Sequence, residues 1–387
     1  MSDSGPQLDV VIPVYNGEDT VESAIASIQS QTVRSIRIIV VNDGSTDGTR
    51  AILERLARED ERLLVIHQAN AGIVDALNVG LAACSAPLVA RHDSDDLAYP
   101  DRFEKQLAYL GAHPDCVAVS GGARHIGEAG ETLGEVVDLP SPDGADPYAF
   151  PQREPYLLHP FLMMRLASAK AVGGYRYAFH AEDTDLYWRL QEIGRLANLP
   201  DLLGDYRIHA QSVSGGSLLN GRIAALTSQL AGLSALRRRA GRRDIVFTKD
   251  ALYRYQRARS LEGIIRAGTA GLDAGESERL AVAVCAKLLE LASYRPYELE
   301  PEDCSFIRKT ILRALPDMTN DNRKRCSKML SGTAARLAYG ARISAALRLA
   351  PSKFYPQIVA RLALRIVVPF TVLRMMRHAL GSAAIVK

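Results

Sequence analysis

Short apolar runs alternate with amphipathic segments between residue 8 and about residue 112. Such runs are typical of buried strands, and apolar residues three or four positions apart are typical of helices. The predicted strands cover 8–14, 36–41, 63–67 and 88–91, and the predicted helices cover 20–31, 46–58 and 73–83, with Ser45 and Asp47 as N-caps of the second helix. Repeated β-α units of this kind predict an α/β fold with a mainly parallel sheet flanked by helices.

Beyond residue 112 the sequence pattern differs between two further regions. The pattern predicts a strand at 116–124, a Gly-, Pro- and Asp-rich loop region with short strands at 127–155, a helix at 182–193 and an extended segment at 202–208. After Gly215, long Leu-, Ala- and Arg-rich segments interrupted by prolines predict helices. We therefore expect an α/β domain over 1–214 and a helical region over 215–387, with the boundary between 215 and 245.

Positive charge is concentrated at the C-terminal end. The chain has 47 Lys and Arg against 44 Asp and Glu, but residues 322–387 contain 13 Lys or Arg and no acidic residue. The longest uncharged run within 355–380 has eight residues, far below the ~20 needed to span a bilayer. This pattern favours either a basic helix on an anionic membrane surface or a bundle that packs on the α/β domain or on a second subunit. No nucleic-acid motif accompanies the charge, so nucleic acid is not an expected partner.

The cysteines and the N-terminal residues indicate the cellular compartment in which the protein is expected to act. Five scattered cysteines form no CxxC pair and have no zinc-like spacing, which predicts reduced thiols. The first residues contain no basic stretch followed by a long apolar run, so no signal peptide is predicted. We expect a cytoplasmic protein, peripheral at the inner face of the membrane if the basic region binds lipid.

Candidate ligand-binding residues follow the first two strands. Pro13 and Tyr15 lie at the carboxyl end of the first strand, which is the edge of an open α/β sheet that faces ligand, and the Tyr15 ring could cover a base. Asp43 ends the second strand and could accept a hydrogen bond from a base N–H, although capping of the next helix is an alternative role. Neither a GxGxxG loop nor a Walker loop is present, so any bound phosphate would need a metal ion for neutralisation.

The motif Asp93-Ser94-Asp95-Asp96 follows the fourth predicted strand. Mg²⁺ and Mn²⁺ bind oxygen ligands, commonly one or two carboxylates together with substrate phosphates. Asp95 is the best candidate for direct ligation, Asp93 for a ribose hydroxyl or a metal-bound water, and Asp96 for a cap of the next segment. A solvated turn is the alternative interpretation of this motif.

A second acidic pair, Glu182 and Asp183, begins the predicted helix in HAEDTDLYWRL. Negative charge in a first helical turn is favoured by the helix dipole, so the pair could have a purely structural role. A carboxylate at this position could also act as a general base toward an attacking hydroxyl.

Seven motifs taken in order resemble those of the family 2 nucleotide-sugar glycosyltransferases, which are inverting enzymes with the GT-A fold. The motifs are VVIPVYNG, VVNDGSTDGT, NAG…LNVGL, RHDSDDLAYPDR, HPFLMMR, GGYR and EDTDLYWRL, and they span residues 8 to about 214. The resemblance implies a nucleotide-sugar half over about 1–112 and an acceptor half over about 113–214.

The resemblance also implies roles for individual residues. Pro13, Tyr15 and Asp43 would hold the nucleotide, Asp93 the ribose, and Asp95 a Mn²⁺ or Mg²⁺ ion on the diphosphate. Asp183 would be the catalytic base with Glu182 beside it, and His209 would approach the diphosphate or the metal. The donor would be a nucleotide sugar and the acceptor a saccharide or a lipid-linked sugar, as in the biosynthesis of surface polysaccharides or glycolipids.

Two departures from the family pattern matter. Asn42 stands where an acidic residue usually precedes Asp43, which leaves the preferred base open because an amide both donates and accepts. The chain also lacks a QxxRW segment, which favours single sugar addition over processive synthesis.

Two alternative functions are a sugar-phosphate nucleotidyltransferase and a non-catalytic nucleotide-sugar-binding protein. The first would need a basic, Gly-rich loop after the first strand, and VYNGEDT does not provide one.

Overall fold

The computed structural model describes residues 5–137, 139–208, 217–295 and 297–360. Within these ranges the residues form two compact units. The first contains the described residues within 1–147, 153–216 and 230–251, and the second contains those within 148–152, 217–229 and 252–387. His209 and most of the 355–380 segment lie outside the described residues, so their predicted roles stay predictions.

The first unit is built on one sheet of mixed direction. Its strands are β1 (Leu8–Val14), β2 (Ile36–Asp43), β3 (Leu63–Gln68), β4 (Leu88–Arg91), β5 (Leu97–Ala98), β6 (Cys116–Ile126), β7 (Thr132–Val136), β8 (Met163–Arg165) and β9 (Arg195–Arg207). The order is β3-β2-β1-β4-β8-β6-β9-β5, and β7 pairs with β6. The first four strands of this order are mutually parallel, whereas β8 runs antiparallel to both neighbours. The prediction of parallel strands over the first part of the chain is therefore confirmed.

Helices cover both faces of this sheet. They are α1 (Val21–Gln29), α2 (Thr49–Glu59), α3 (Ile73–Ala83), α4 (Arg102–Ala112), α5 (Leu166–Ala171) and α6 (Glu182–Gln191). Successive residues of a strand point to opposite faces, so Val10 and Ile12 join the core beneath α1, whereas Val11 joins the core beneath α3. Burial on both faces explains why the central strands are almost entirely apolar.

The region after residue 217 is helical, as predicted. Its helices are α7 (Leu218–Arg239), α8 (Asp250–Ala258), α9 (Leu261–Gly268), α10 (Ala274–Tyr294), α11 (Pro301–Ala314), α12 (Asn320–Tyr339) and α13 (Ile343–Leu349). Asp273 and Glu276 form a capping box at the start of α10, which satisfies two otherwise free amides. Among the described residues, none of these helices is long and apolar enough to cross a membrane.

Two predicted caps are wrong. Helix α2 begins at Thr49 with Gly48 in the N-cap position, three residues later than predicted. Ser45 instead accepts a hydrogen bond from the Asn16 amide, and Asp47 bonds the amide of Thr49 without occupying the cap position. The predicted helix start was too early. Residues 44–48 form the loop after β2, and this loop is hydrogen-bonded to the loop after β1.

Candidate active site

The loops that follow β1, β2 and β4 lie along one edge of the sheet, because these strands are parallel and in register. Val14 on β1 pairs with Asn42 on β2, and Val11 pairs with Arg91 on β4. Pro13 is buried, whereas Tyr15 lies just beyond the strand with 52% of its surface exposed. The ring of Tyr15 is therefore available to a ligand at this edge.

Hydrogen bonds join the loop after β1 to the loop after β2. The amide of Asn16 donates to the Ser45 hydroxyl at 2.9 Å, and the Asn16 side-chain oxygen accepts from the amide of Thr46 at 2.8 Å. The amide of Gly48 donates to the Glu18 carboxylate at 2.6 Å. Two loops held together in this way give a rigid edge beside Tyr15.

Asp43 is buried at the end of β2 and is held by its own chain. Its carboxylate accepts hydrogen bonds from Gln68 Nε2 at 2.7 Å and from the amides of Ala71 and Gly72 at 2.9 Å each. Gly44 has a positive φ of 74°, and a Cβ there would lie 2.5 Å from the backbone nitrogen of Asn70. The carboxylate is thus fixed in place. Oδ1 already accepts two hydrogen bonds, whereas Oδ2 accepts one from Gly72 and can accept a second.

The Asp93–Asp96 turn directly follows β4. Asp93, Asp95 and Asp96 each offer a carboxylate oxygen, and these atoms lie within 4.8 Å of one another. Oδ1 of Asp96 accepts a 2.7 Å hydrogen bond from the amide of Arg207 on β9, while Oδ2 of Asp96 is buried without a hydrogen-bond partner. The prediction that Asp96 caps the next segment is wrong, because this fully buried side chain ties the turn to β9.

This cluster fits a hard divalent cation. Its donors are carboxylate oxygens, which Mg²⁺ and Mn²⁺ prefer, and one Asp96 oxygen is buried without a hydrogen-bond partner. Burial and the charges of Asp93 and Asp95 raise the pKa of Asp96 well above its usual range. A bound cation would remove this electrostatic cost.

Arg91 is a functional candidate that the sequence analysis missed. Its guanidinium is buried at the end of β4, donates to Asp93 Oδ2 at 2.7 Å through Nη1, and contacts Oδ1 through Nη2. Its Nε is buried without a hydrogen-bond partner. The sequence signal was present, because residues i and i+2 at a strand end point to the same side and Arg91 precedes Asp93 by two positions.

Glu182 and Asp183 begin helix α6. His180, two residues earlier, has a positive φ of 64°, an uncommon conformation for a residue other than glycine. Asp183 Oδ1 accepts a 2.6 Å hydrogen bond from the amide of Thr184, while Oε2 of Glu182 is buried without a partner. Both side chains are half-buried, so they are reachable at the surface of the site.

The electrostatics of this pair connect it to the Asp93–Asp96 turn. Burial, the adjacent Asp183 charge and the Asp93 charge together raise the pKa of Glu182 to about 7, against the opposing charge of Arg91. Burial also raises the pKa of Asp183. Both carboxyl groups of the pair therefore hold a proton more tightly than an exposed acid does, which suits the pair to accept a proton near neutral pH.

A network of charges holds helix α6 in place. Asp185 is completely buried and accepts hydrogen bonds from Arg176 and from Arg189, the latter through Nη2 at 2.7 Å. Arg176 also donates to Asp244 at 2.8 Å. Because Asp185 lies two residues after Asp183, this network fixes the start of the helix that carries the acidic pair.

Trp188 is fully buried on the same helix against Ala231 and Ala235, so it is a core residue.

His159 of the HPFLMMR motif contacts Tyr175, on which the charges of Asp183 and Glu182 act. The Nε2 atom of His159 and the hydroxyl of Tyr175 are 2.8 Å apart, and both side chains are buried. Burial and the Arg91 charge lower the pKa of His159 well below its usual range, so this imidazole is neutral. Burial raises the pKa of Tyr175, which keeps its hydroxyl protonated.

The sheet, with helices on both faces and acidic residues at its carboxyl edge, has the architecture of the GT-A fold. The crystal structure of S. aureus TarS 1-349 shares this fold, with a TM-score of 0.50 and 17% identity over 84% of this chain and 92% of that chain. The model of glycosyl transferase family 2 matches residues 9–170.

Curated relatives support the same assignment at the level of sequence. The amylovoran biosynthesis glycosyltransferase AmsE of Erwinia amylovora is 31% identical over 209 residues, which are 53% of this chain and 77% of the relative. The putative glycosyltransferase EpsE of Bacillus subtilis is 32% identical over 215 residues, which are 54% of this chain and 75% of the relative. The chain belongs to glycosyl transferase family 2 and is a glycosyltransferase.

Proposed function

We propose that the protein is a metal-dependent, inverting glycosyltransferase that moves one sugar from a nucleotide-diphosphate sugar to a saccharide or lipid-linked acceptor. Support comes chiefly from one relationship: Asp93, at the end of β4, lies close enough to Glu182, at the start of α6, for its charge to raise the pKa of Glu182. Residues far apart in sequence thus form one acidic site. The similarity to AmsE supports a role in the biosynthesis of a surface polysaccharide or glycolipid.

The nucleotide-side residues occupy the edge of the sheet where a ligand binds in this architecture. Tyr15 offers an exposed ring for the base, Asp43 offers a fixed acceptor, and Pro13 shapes the strand end between them. Asp93, oriented by Arg91, would accept hydrogen bonds from the ribose. Asp95 and Asp96 would hold Mn²⁺ or Mg²⁺, and when bound the cation supplies positive charge beside the diphosphate oxygens. His209 remains a proposed further ligand.

The chemical step follows from the acidic pair. The acceptor hydroxyl attacks the anomeric carbon, a new C–O bond forms, and the bond from that carbon to the diphosphate oxygen breaks. Asp183 takes the hydroxyl proton, and the nucleoside diphosphate leaves with the electron pair. A single displacement of this kind inverts the anomeric configuration. The raised pKa of Glu182, about 7, means that part of the negative charge of the pair is neutralised near neutral pH, which limits the charge that faces the incoming donor.

The basic C-terminal region is proposed to contact an anionic membrane surface. Helices α11 and α13 line an open groove of about 770 Å³ that combines Arg308, Lys309 and Arg348 with the half-exposed apolar residues Ile343 and Leu347. Cationic groups beside apolar side chains suit the interface of an anionic bilayer. Flotation of the full chain with phosphatidylglycerol vesicles but not with phosphatidylcholine vesicles is expected. Absence from both floating fractions would favour the helical-bundle or second-subunit alternatives.

A donor panel tests the enzymatic proposal. Release of nucleoside diphosphate is measured for UDP-, dTDP- and GDP-sugars with Mn²⁺ and with a chelator in its place. We expect release from at least one donor that depends on the metal ion. Tight donor binding without release under any condition would instead favour a non-catalytic nucleotide-sugar-binding protein.

A further inference from the structure

A short segment that follows α7, residues 244–249, packs beside the proposed nucleotide subsite. It lies beyond the matched residues 9–170 and beyond the motif-bearing part of the chain. Asp244, at its start, accepts hydrogen bonds from Arg176 at 2.8 Å and from Arg238 at 2.9 Å, and it contacts Ser234. The segment is therefore anchored to the same charge network that holds α6.

The middle and the end of the segment are also held. The ring of Phe247 packs 4.9 Å from the guanidinium carbon of Arg176. Nζ of Lys249 forms an ion pair of 2.8 Å with Asp75 Oδ2 and lies 5.8 Å from the centre of the Tyr177 ring. The Tyr177 hydroxyl donates to the other Asp75 oxygen at 2.8 Å. An ammonium group is thus placed by two independent contacts on the first turn of α3.

The Lys249–Asp75 pair lies on the same segment of the chain, the start of α3, that holds Asp43. Asp75 comes three residues after Gly72, whose amide bonds the Asp43 carboxylate at 2.9 Å. The charge of Asp43 also acts on Lys249, whose pKa is raised first by the hydrogen bond to Asp75 and further by Asp43. The side chain of Lys249 is 55% exposed, so the two N–H groups that do not point at Asp75 can reach a ligand.

We infer that Lys249 is a specificity-determining residue of the donor subsite and that it selects nucleotides with an oxo base. This inference rests on the proposed function. Asp43 accepts a hydrogen bond and Lys249 only donates, so the two side chains present an acceptor beside a donor. Uracil, thymine and guanine carry the complementary pair, a ring N–H next to a carbonyl oxygen. Cytosine and adenine instead carry a ring acceptor next to an amino group, so they would meet the two side chains in the wrong order.

Binding of nucleoside diphosphates to the full chain tests the inference without knowledge of the acceptor. Titration calorimetry with Mn²⁺ compares UDP, dTDP and GDP with CDP and ADP for the wild type, Lys249→Met and Lys249→Arg. Lys105→Met is the matched control, since Lys105 also pairs with a carboxylate, Asp101 at 2.8 Å, but on helix α4. We expect the wild type and the control to bind one oxo-base nucleotide at least about tenfold more tightly than CDP and ADP.

The variants separate the possible outcomes. Lys249→Met should weaken the preferred oxo-base nucleotide about tenfold and leave CDP and ADP binding unchanged, and Lys249→Arg, which keeps a cationic donor, should retain the preference. A Lys249→Met protein with the wild-type preference would overturn the inference, as would a wild type that binds CDP or ADP most tightly. A wild type that binds none of the five nucleotides would contradict the proposed function itself.

Discussion

The guanidinium of Arg91 donates a 2.7 Å hydrogen bond to the carboxylate of Asp93 from the buried end of β4. The pair is largely shielded, with side-chain exposures of 8% for Arg91 and 26% for Asp93. This contact fixes the first carboxylate of the Asp93–Asp96 turn and places a buried positive charge among the acidic groups of the site. Its removal should therefore affect both folding and the donor subsite.

Replacement of Arg91 by Met should lower the free energy of unfolding by about 3 kcal/mol, because it leaves a shielded carboxylate without its partner. The change is measured from urea unfolding curves. Arg195→Met is the matched control, since the Arg195–Asp115 pair has exposures of 32% and 65% and should contribute less than about 1 kcal/mol. Equal losses for both variants would show that the Arg91 pair is no stronger than a surface pair.

Glu182→Gln should stabilise the protein at alkaline pH. The pKa of Glu182 is raised by burial and by Asp183 from 4.5 to about 7, so the folded state binds more protons than the unfolded state between these values. The stability contributed by the neutral acid is present below pH 4.5 and is lost as pH rises through 7. The free energy of unfolding of the variant, relative to that of the wild type, should therefore increase by about 2–3 kcal/mol from pH 5 to pH 8.

Urea midpoints at the two pH values measure this gain. The exposed residue Glu61 provides the control, because Glu61→Gln should show the same difference from wild type at both pH values. If the stability difference between Glu182→Gln and the wild type does not increase with pH, the raised pKa of Glu182 is contradicted.

Asp95→Asn should raise the Mn²⁺ concentration needed for half-maximal turnover by at least about tenfold, because the amide is a weaker ligand than the carboxylate. Titration of the metal-free enzyme with Mn²⁺ measures this requirement. Asp101→Asn is the control, since Asp101 is close in sequence but lies outside the cluster of carboxylates. An unchanged metal requirement in Asp95→Asn would remove Asp95 from the metal site.

Periodicity predicted the elements that are buried on both faces or amphipathic over several turns. β1 at 8–14 and α3 at 73–83 match the structure at both ends, because each is bounded by a turn residue and has a regular pattern. β8 has only three residues, and its place between β4 and β6 depends on long-range pairing that no local pattern encodes. β9 begins seven residues earlier than predicted, since Pro200 and Asp201 interrupt its apolar pattern.

The residues of the candidate site also fall into those that the sequence predicted and those that it missed. Acidic motifs at strand and helix ends pointed to Asp93, Asp95 and Asp183, because carboxylates at such positions are visible in the sequence itself. Arg91 and Lys249 were missed, because their proposed roles depend on which carboxylates lie next to them in space. Asp96 was misassigned because its partner, the amide of Arg207, is 111 positions away.

The most direct test of the account is Asp183→Asn, which removes the proposed base and keeps the size of the side chain. Turnover of the best donor should fall by roughly 10²–10⁴, while the affinity for the nucleoside diphosphate changes less than about threefold, because Asp183 acts on the acceptor proton. Initial rates and calorimetric titration on the same preparation measure the two quantities. Turnover at the wild-type level in Asp183→Asn would contradict the proposed mechanism.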